Sequence, residues 1–115
     1  VKTNLHVLLA TLLLLPTLGA ADEPPICDPT PKPLIKPVPR YPKIVAGPPR
    51  AHVTLRFTIG TDGWVTDAIV TENWPMGSEQ WFDEPAIETI KRTRFKDVAA
   101  RCRATLRLEF RRPAE

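Results

Sequence analysis

Cys27 and Cys102 are the only cysteines in this 115-residue chain, and they are the first residues that could do chemistry. In an oxidising compartment the count admits one intramolecular bridge, with two free thiols as the alternative. Across a loop of that length a bridge is worth about 4 kcal/mol in the loop-entropy treatment. Material for catalysis is thin. His6 lies in an apolar N-terminal run, and His52 on the outward side of an alternating segment. There is no sequence-level Ser-His-Asp or Cys-His set, and two cysteines with one histidine give no metal-ligand spacing. The carboxylates have structural duties instead: Asp62 in a turn, Asp83 as a helix cap, Glu88 beside Arg92. The expectation is a non-enzyme with neither metal nor cofactor.

Charge carries more information. Phe57 to Ile90 holds seven acidic residues and no Lys or Arg, whereas Lys91 to Arg112 holds nine basic residues and two acidic ones. The net charge of +3 therefore conceals a dipolar chain. Arg103, Arg107 and Arg111 recur every four residues on one side of a strand, where they can select an acidic partner; a solvated edge that resists aggregation is the alternative. Arginines interleaved on a strand with few exposed aromatics suit nucleic acid poorly, so none is expected. Trp64, Trp74 and Trp81 either form an aromatic binding patch or, as the commoner outcome, pack beneath the helix.

The elements that position these residues follow from composition and period. Residues 1–21 read as a secretory signal peptide: Lys2, an apolar run from Val7 to Leu15, then Gly19-Ala20-Ala21 as a small-residue exit. This nine-residue run spans only about 14 Å of helix, less than half a hydrocarbon core, so an uncleaved inner-membrane anchor is the lesser alternative. Ten of the 14 prolines fall between Pro24 and Pro49, which makes 22–49 an extended, stiff spacer segment. The folded part is then 50–115, a size at which any cross-link matters.

Val53, Leu55, Phe57 and Ile59 alternate with polar residues, the signature of a half-buried strand. Gly60-Thr61-Asp62-Gly63 turns it into a second strand from Trp64 to Thr71, with a bulge expected near Thr66 or Asp67. Glu72 to Trp81 reads as a loop. A helix follows with Asp83 as N-cap and Pro85 in its first turn, its apolar stripe formed by Phe82, Ala86, Ile87, Ile90 and Phe95. Cys102 to Arg111 alternates again, with Cys102, Ala104, Leu106, Leu108 and Phe110 facing inward. The fold class is α+β: a β-β-α-β unit whose three antiparallel strands run in the order 2-1-3, with the helix on one face.

From Pro39 to Phe110 the chain resembles the C-terminal domain of the TonB energy transducers. Arg40-Tyr41-Pro42 with Ala46 is similar to the family's lead-in segment, and Val53 to Val65 to its first hairpin. Phe82-Asp83-x-x-Ala86-Ile87-x-x-Ile90 with Arg94-Phe95 resembles its helix and exit, and Leu106-x-Leu108-x-Phe110 its last strand. Thr93, Asp97 and Ala51 depart from the family's usual Trp, Pro and Gly. The resemblance implies a periplasmic protein of a Gram-negative envelope. Its last strand, through Arg103, Thr105, Arg107, Glu109 and Arg111, would take up an extended segment of an outer-membrane receptor or another envelope protein by β-augmentation. The same edge would support a weak homodimer. A cleaved leader and a short spacer point to a soluble adaptor over a motor-coupled transducer. The alternative is a disulfide-stapled periplasmic structural or inhibitor protein with no receptor coupling.

Overall fold

The computed structural model describes residues 23–44 and 46–114; the signal peptide expected at 1–21 lies outside the described residues. Strands β1 (Arg50–Ile59) and β2 (Val65–Trp74) are followed by helix α1 (Glu79–Lys91) and strand β3 (Cys102–Arg111). The strands form one antiparallel sheet in the order β2-β1-β3, so the α+β, β-β-α-β reading holds. Val53, Leu55, Phe57 and Ile59 of β1 are buried, as are Cys102, Ala104, Leu108 and Phe110 of β3. Both strands occupy the half-buried state that their alternation dictates.

The β1–β2 turn is fixed by short hydrogen bonds. The Gly60 N–H donates to the Trp64 carbonyl at 2.9 Å and the Gly63 N–H to that of Gly60 at 2.8 Å. The Asp62 carboxylate accepts from the Trp64 N–H at 3.1 Å. Gly63 has φ +87°, and a Cβ there would run into the Phe95 carbonyl oxygen. Conformation and space both require glycine. Its own carbonyl accepts from the Phe95 N–H at 2.8 Å, which pins the chain after α1 onto the hairpin.

Along β2 the register slips twice against β1. One slip spans Asp67, whose φ of 53° marks the expected bulge. The other, at Thr71 between Glu72 and Val70, was not foreseen. The extra residues carry β2 on to Trp74 and bring Asn73 under the helix.

The expected loop from Glu72 to Trp81 is accordingly too long, because only 75–78 connect β2 to α1. Ser78 is the N-cap, in place of Asp83, and Pro85 lies inside the helix instead of in its first turn. Asp83 serves elsewhere: its carboxylate accepts a 3.0 Å bond from the Asn73 side-chain amide, tying α1 to β2. The Ser78 carbonyl accepts from the N–H groups of Trp81 and Phe82 at 3.0 and 3.2 Å, which starts the helix early enough to bury Phe82.

Two groups of aromatic rings stand in the core. Phe82 lies 4.9 Å from Phe110 and 5.5 Å from Tyr41, and Phe57 lies 5.6 Å from Phe95, centroid to centroid. All four phenylalanines are buried, each worth roughly 1.5–3 kcal/mol in transfer terms. Helix α1 rests mainly on β1 and β2 and reaches β3 through Phe82 on Phe110.

Over its described residues the proline-rich segment is bonded back onto the domain at several points. Cys27 is bonded to Cys102. The Lys32 carbonyl accepts from the Lys96 N–H at 3.1 Å, and the Leu34 N–H donates to the Arg94 carbonyl at 2.9 Å. The Tyr41 hydroxyl donates to the Pro48 carbonyl at 2.6 Å, and the Arg112 guanidinium to that of Gly47 at 2.7 Å. The segment is a strap laid from the start of β3 back to the start of β1. Among the described residues no helix is long and apolar enough to cross a membrane.

Candidate functional site

β3 is an edge strand, and its first outward-facing residue is already occupied. The Arg103 N–H donates to the Pro25 carbonyl at 2.7 Å, and the Cys27 N–H donates to the Arg103 carbonyl at 2.8 Å. The main-chain groups of Arg103 therefore point away from β1. Because these groups alternate along a strand, those of Thr105, Arg107 and Glu109 point the same way, and those of Ala104, Leu106 and Leu108 towards β1. Among the described residues, no backbone partner meets the outward groups of Thr105, Arg107 and Glu109. A template for a fourth strand runs from Thr105 to Arg111.

A groove of about 650 Å³ flanks this template, with Leu106 to Glu109 and Arg111 on one side and the strap's Lys36 to Pro39 on the other. Pro37 and Pro39 have no N–H, so the strap cannot pair continuously with β3 although it runs alongside. It leaves the edge shielded but unsatisfied.

Of the five residues expected at a peptide-binding edge, Thr105, Arg107, Glu109 and Arg111 are exposed on the face away from the core. Arg103 is tied down by its own chain. Its Nε donates to the Pro24 carbonyl at 2.7 Å, and its guanidinium lies 3.5 Å from the Glu23 carboxylate. Pro25, Cys27, Val38 and Pro39 were not assigned to this site from the sequence. The cysteine pairing was the one signal that could have brought them there, since it places the strap at the mouth of β3.

The tryptophans do not pack beneath the helix. Trp64, Trp74 and Trp81 are 44%, 53% and 39% exposed. Trp64 immediately precedes β2 and Trp74 ends it, roughly 30 Å apart at 3.3 Å per residue, so they form no single patch either. The Trp64 ring has the Arg94 guanidinium 5.7 Å from its centroid. Trp74 stacks on His52 at 5.6 Å and 11°. The His52 Nδ1 is buried without a hydrogen-bond partner among the described residues. Nor, among them, is any group of three or more His, Cys, Asp or Glu placed to hold a metal ion.

Comparison with known protein families and with curated proteins returned no match. The functional reading therefore stands on the geometry of β3 and its strap.

Proposed function

We propose that this protein is an exported, TonB C-terminal-like binding module that takes up an extended acidic segment of an outer-membrane receptor or another envelope protein along β3, from Thr105 to Arg111. The observation that carries the reading is the unpaired outward backbone of Thr105, Arg107 and Glu109 beside the groove between β3 and the strap. Main-chain hydrogen bonds supply affinity in this mode, and side chains on alternate positions supply selectivity. Arg107 and Arg111 face the side on which acidic residues of an added strand would stand. The Cys27–Cys102 bond supports an oxidising compartment, and the periplasm is the one proposed. A strap bonded back onto its own domain reaches little distance, which favours an adaptor over a transducer.

Titration of the labelled protein with an extended acidic peptide tests the proposal. Amide shifts should concentrate on Thr105, Arg107 and Glu109. Thr105→Pro removes an outward N–H while sparing the β1–β3 ladder, and should abolish those shifts. Unchanged binding by this variant would sink the proposal.

One observation favours a second reading, a disulfide-stapled structural or inhibitor protein with no receptor coupling: the outward groups of Arg103 are already satisfied from within the chain. On that reading the acidic peptide produces no shifts in the wild type.

A further inference from the structure

The strap has a second recess on its other side, between it and the C-terminal half of α1. It is a groove of about 950 Å³, within the size range of small-molecule sites. Its rim carries Lys36, Arg40, Lys43, Arg92 and Arg94 against one carboxylate, Glu88. Glu88 is already paired with Arg92 at 3.3 Å. Arg94 is held at the mouth by the Asp62 carbonyl at 3.1 Å, with the Asp97 carboxylate 3.9 Å away. Lys36, Arg40 and Lys43 have no carboxylate within ion-pairing distance among the described residues. The recess is therefore a cationic basin whose own acid is neutralised.

Its uncharged lining is mostly apolar, and the hydroxyls of Tyr41, Thr89 and Thr93 within it already donate to the carbonyls of Pro48, Pro85 and Thr89. Leu34 and Trp64 stand 54% and 44% exposed into a space that their own chain does not fill. Pro37 and Pro42 contribute wall but no N–H donor. A peptide laid here would leave main-chain groups without partners along that wall, each one buried at a cost. An alkyl chain incurs no such cost, and each methylene buried on Leu34 and Trp64 adds to its affinity.

We infer that this recess binds a single-chain anionic amphiphile, its chain against Leu34 and Trp64 and its head group among Lys36, Arg40 and Lys43. The site is separate from the β3 edge. Leu34, Arg40, Lys43 and Trp64 border only this recess, whereas Lys36, Pro37 and Val38 border both grooves.

The test uses dodecanoate, below its critical micelle concentration, added to the oxidised full chain carrying Trp74→Phe and Trp81→Phe so that Trp64 is the only tryptophan, excited selectively over Tyr41. The expected result is a saturable change in Trp64 emission at one dodecanoate per chain. Arg40→Glu with Lys43→Glu should weaken it at least tenfold at an unchanged melting temperature, and Arg40→Lys with Lys43→Arg should retain it. 1-Dodecanol, with the same chain and no charge, should bind at least tenfold more weakly. Thr105→Pro should leave dodecanoate binding intact, which separates a failure here from a failure at the edge. An absent or non-saturating response, equal binding of dodecanol, or a tighter response to an acidic peptide than to dodecanoate would each overturn the inference.

Discussion

Ile26 forms a parallel bridge with Arg103, so the proline-rich segment begins its path as a short fourth strand on β3, next to the Cys27–Cys102 bond. The bond holds the pairing in place, and the pairing fixes how much of the edge stays open. Removing the bridge should affect both stability and the edge.

The cysteines are 75 residues apart, and closing a loop of that size is worth about 4 kcal/mol in the loop-entropy treatment. Cys27→Ala with Cys102→Ala should lower the unfolding free energy by about that amount, read from urea titration. Hydrogen exchange at the Cys27 and Arg103 amides should rise with it. An unchanged midpoint would show that the strap is held by its other contacts alone.

Gly63 and Gly77 make a matched pair, since both have φ +87° but only Gly63 has a neighbour in the path of a Cβ. Gly77→Ala should cost about 1–2 kcal/mol, the conformational penalty alone. Gly63→Ala should cost more, because the Phe95 carbonyl must also move. Equal losses would mean that the Phe95 contact yields freely.

These positions also show what the sequence could and could not convey. Gly63 was legible because Asp-Gly after an alternating run names a turn, and β1 and β3 because a period of two survives along their whole length. The N-terminus of α1 was not legible. Asp83 before Glu84-Pro85 has the form of a helix start, but what decided the boundary was burial of Phe82 and the bond from Asn73, both tertiary. Proline density in 22–49 names a stiff, extended segment, but no local pattern records that Leu34 bonds to Arg94 or that Tyr41 packs on Phe82. At the candidate site the residue types were legible. Occupation of Arg103 by Pro25 and Cys27 was not, since pairing across 75 residues leaves no periodic trace.

Pro85 inside α1 offers a test of that boundary. With the helix starting at Glu79, proline removes the donor that would meet the Trp81 carbonyl, at an interior position where it costs about 3 kcal/mol relative to alanine. Pro85→Ala should therefore stabilise the domain by about 1–3 kcal/mol, less whatever packing its ring supplies. Were the helix to start at Asp83, proline would sit in the first turn and the substitution would be close to neutral. Thermal melts of the two proteins distinguish these outcomes.

Arg50 and Arg111 stand directly opposite each other at the end of the β1–β3 ladder, both exposed. Like charges in that position are destabilising, and an opposite-charge pair contributes roughly 0.2–1 kcal/mol. Arg111→Glu should thus raise stability by about 0.5 kcal/mol in urea. If Arg111 serves the added strand, the same variant should bind an acidic peptide more weakly than wild type, while a neutral peptide of the same length binds both equally. Stability gained with binding lost would mean that the unfavourable Arg50–Arg111 pair is maintained for the partner. Stability gained with acidic-peptide binding unchanged would remove Arg111 from the site and leave the backbone of Thr105, Arg107 and Glu109 as its whole recognition surface.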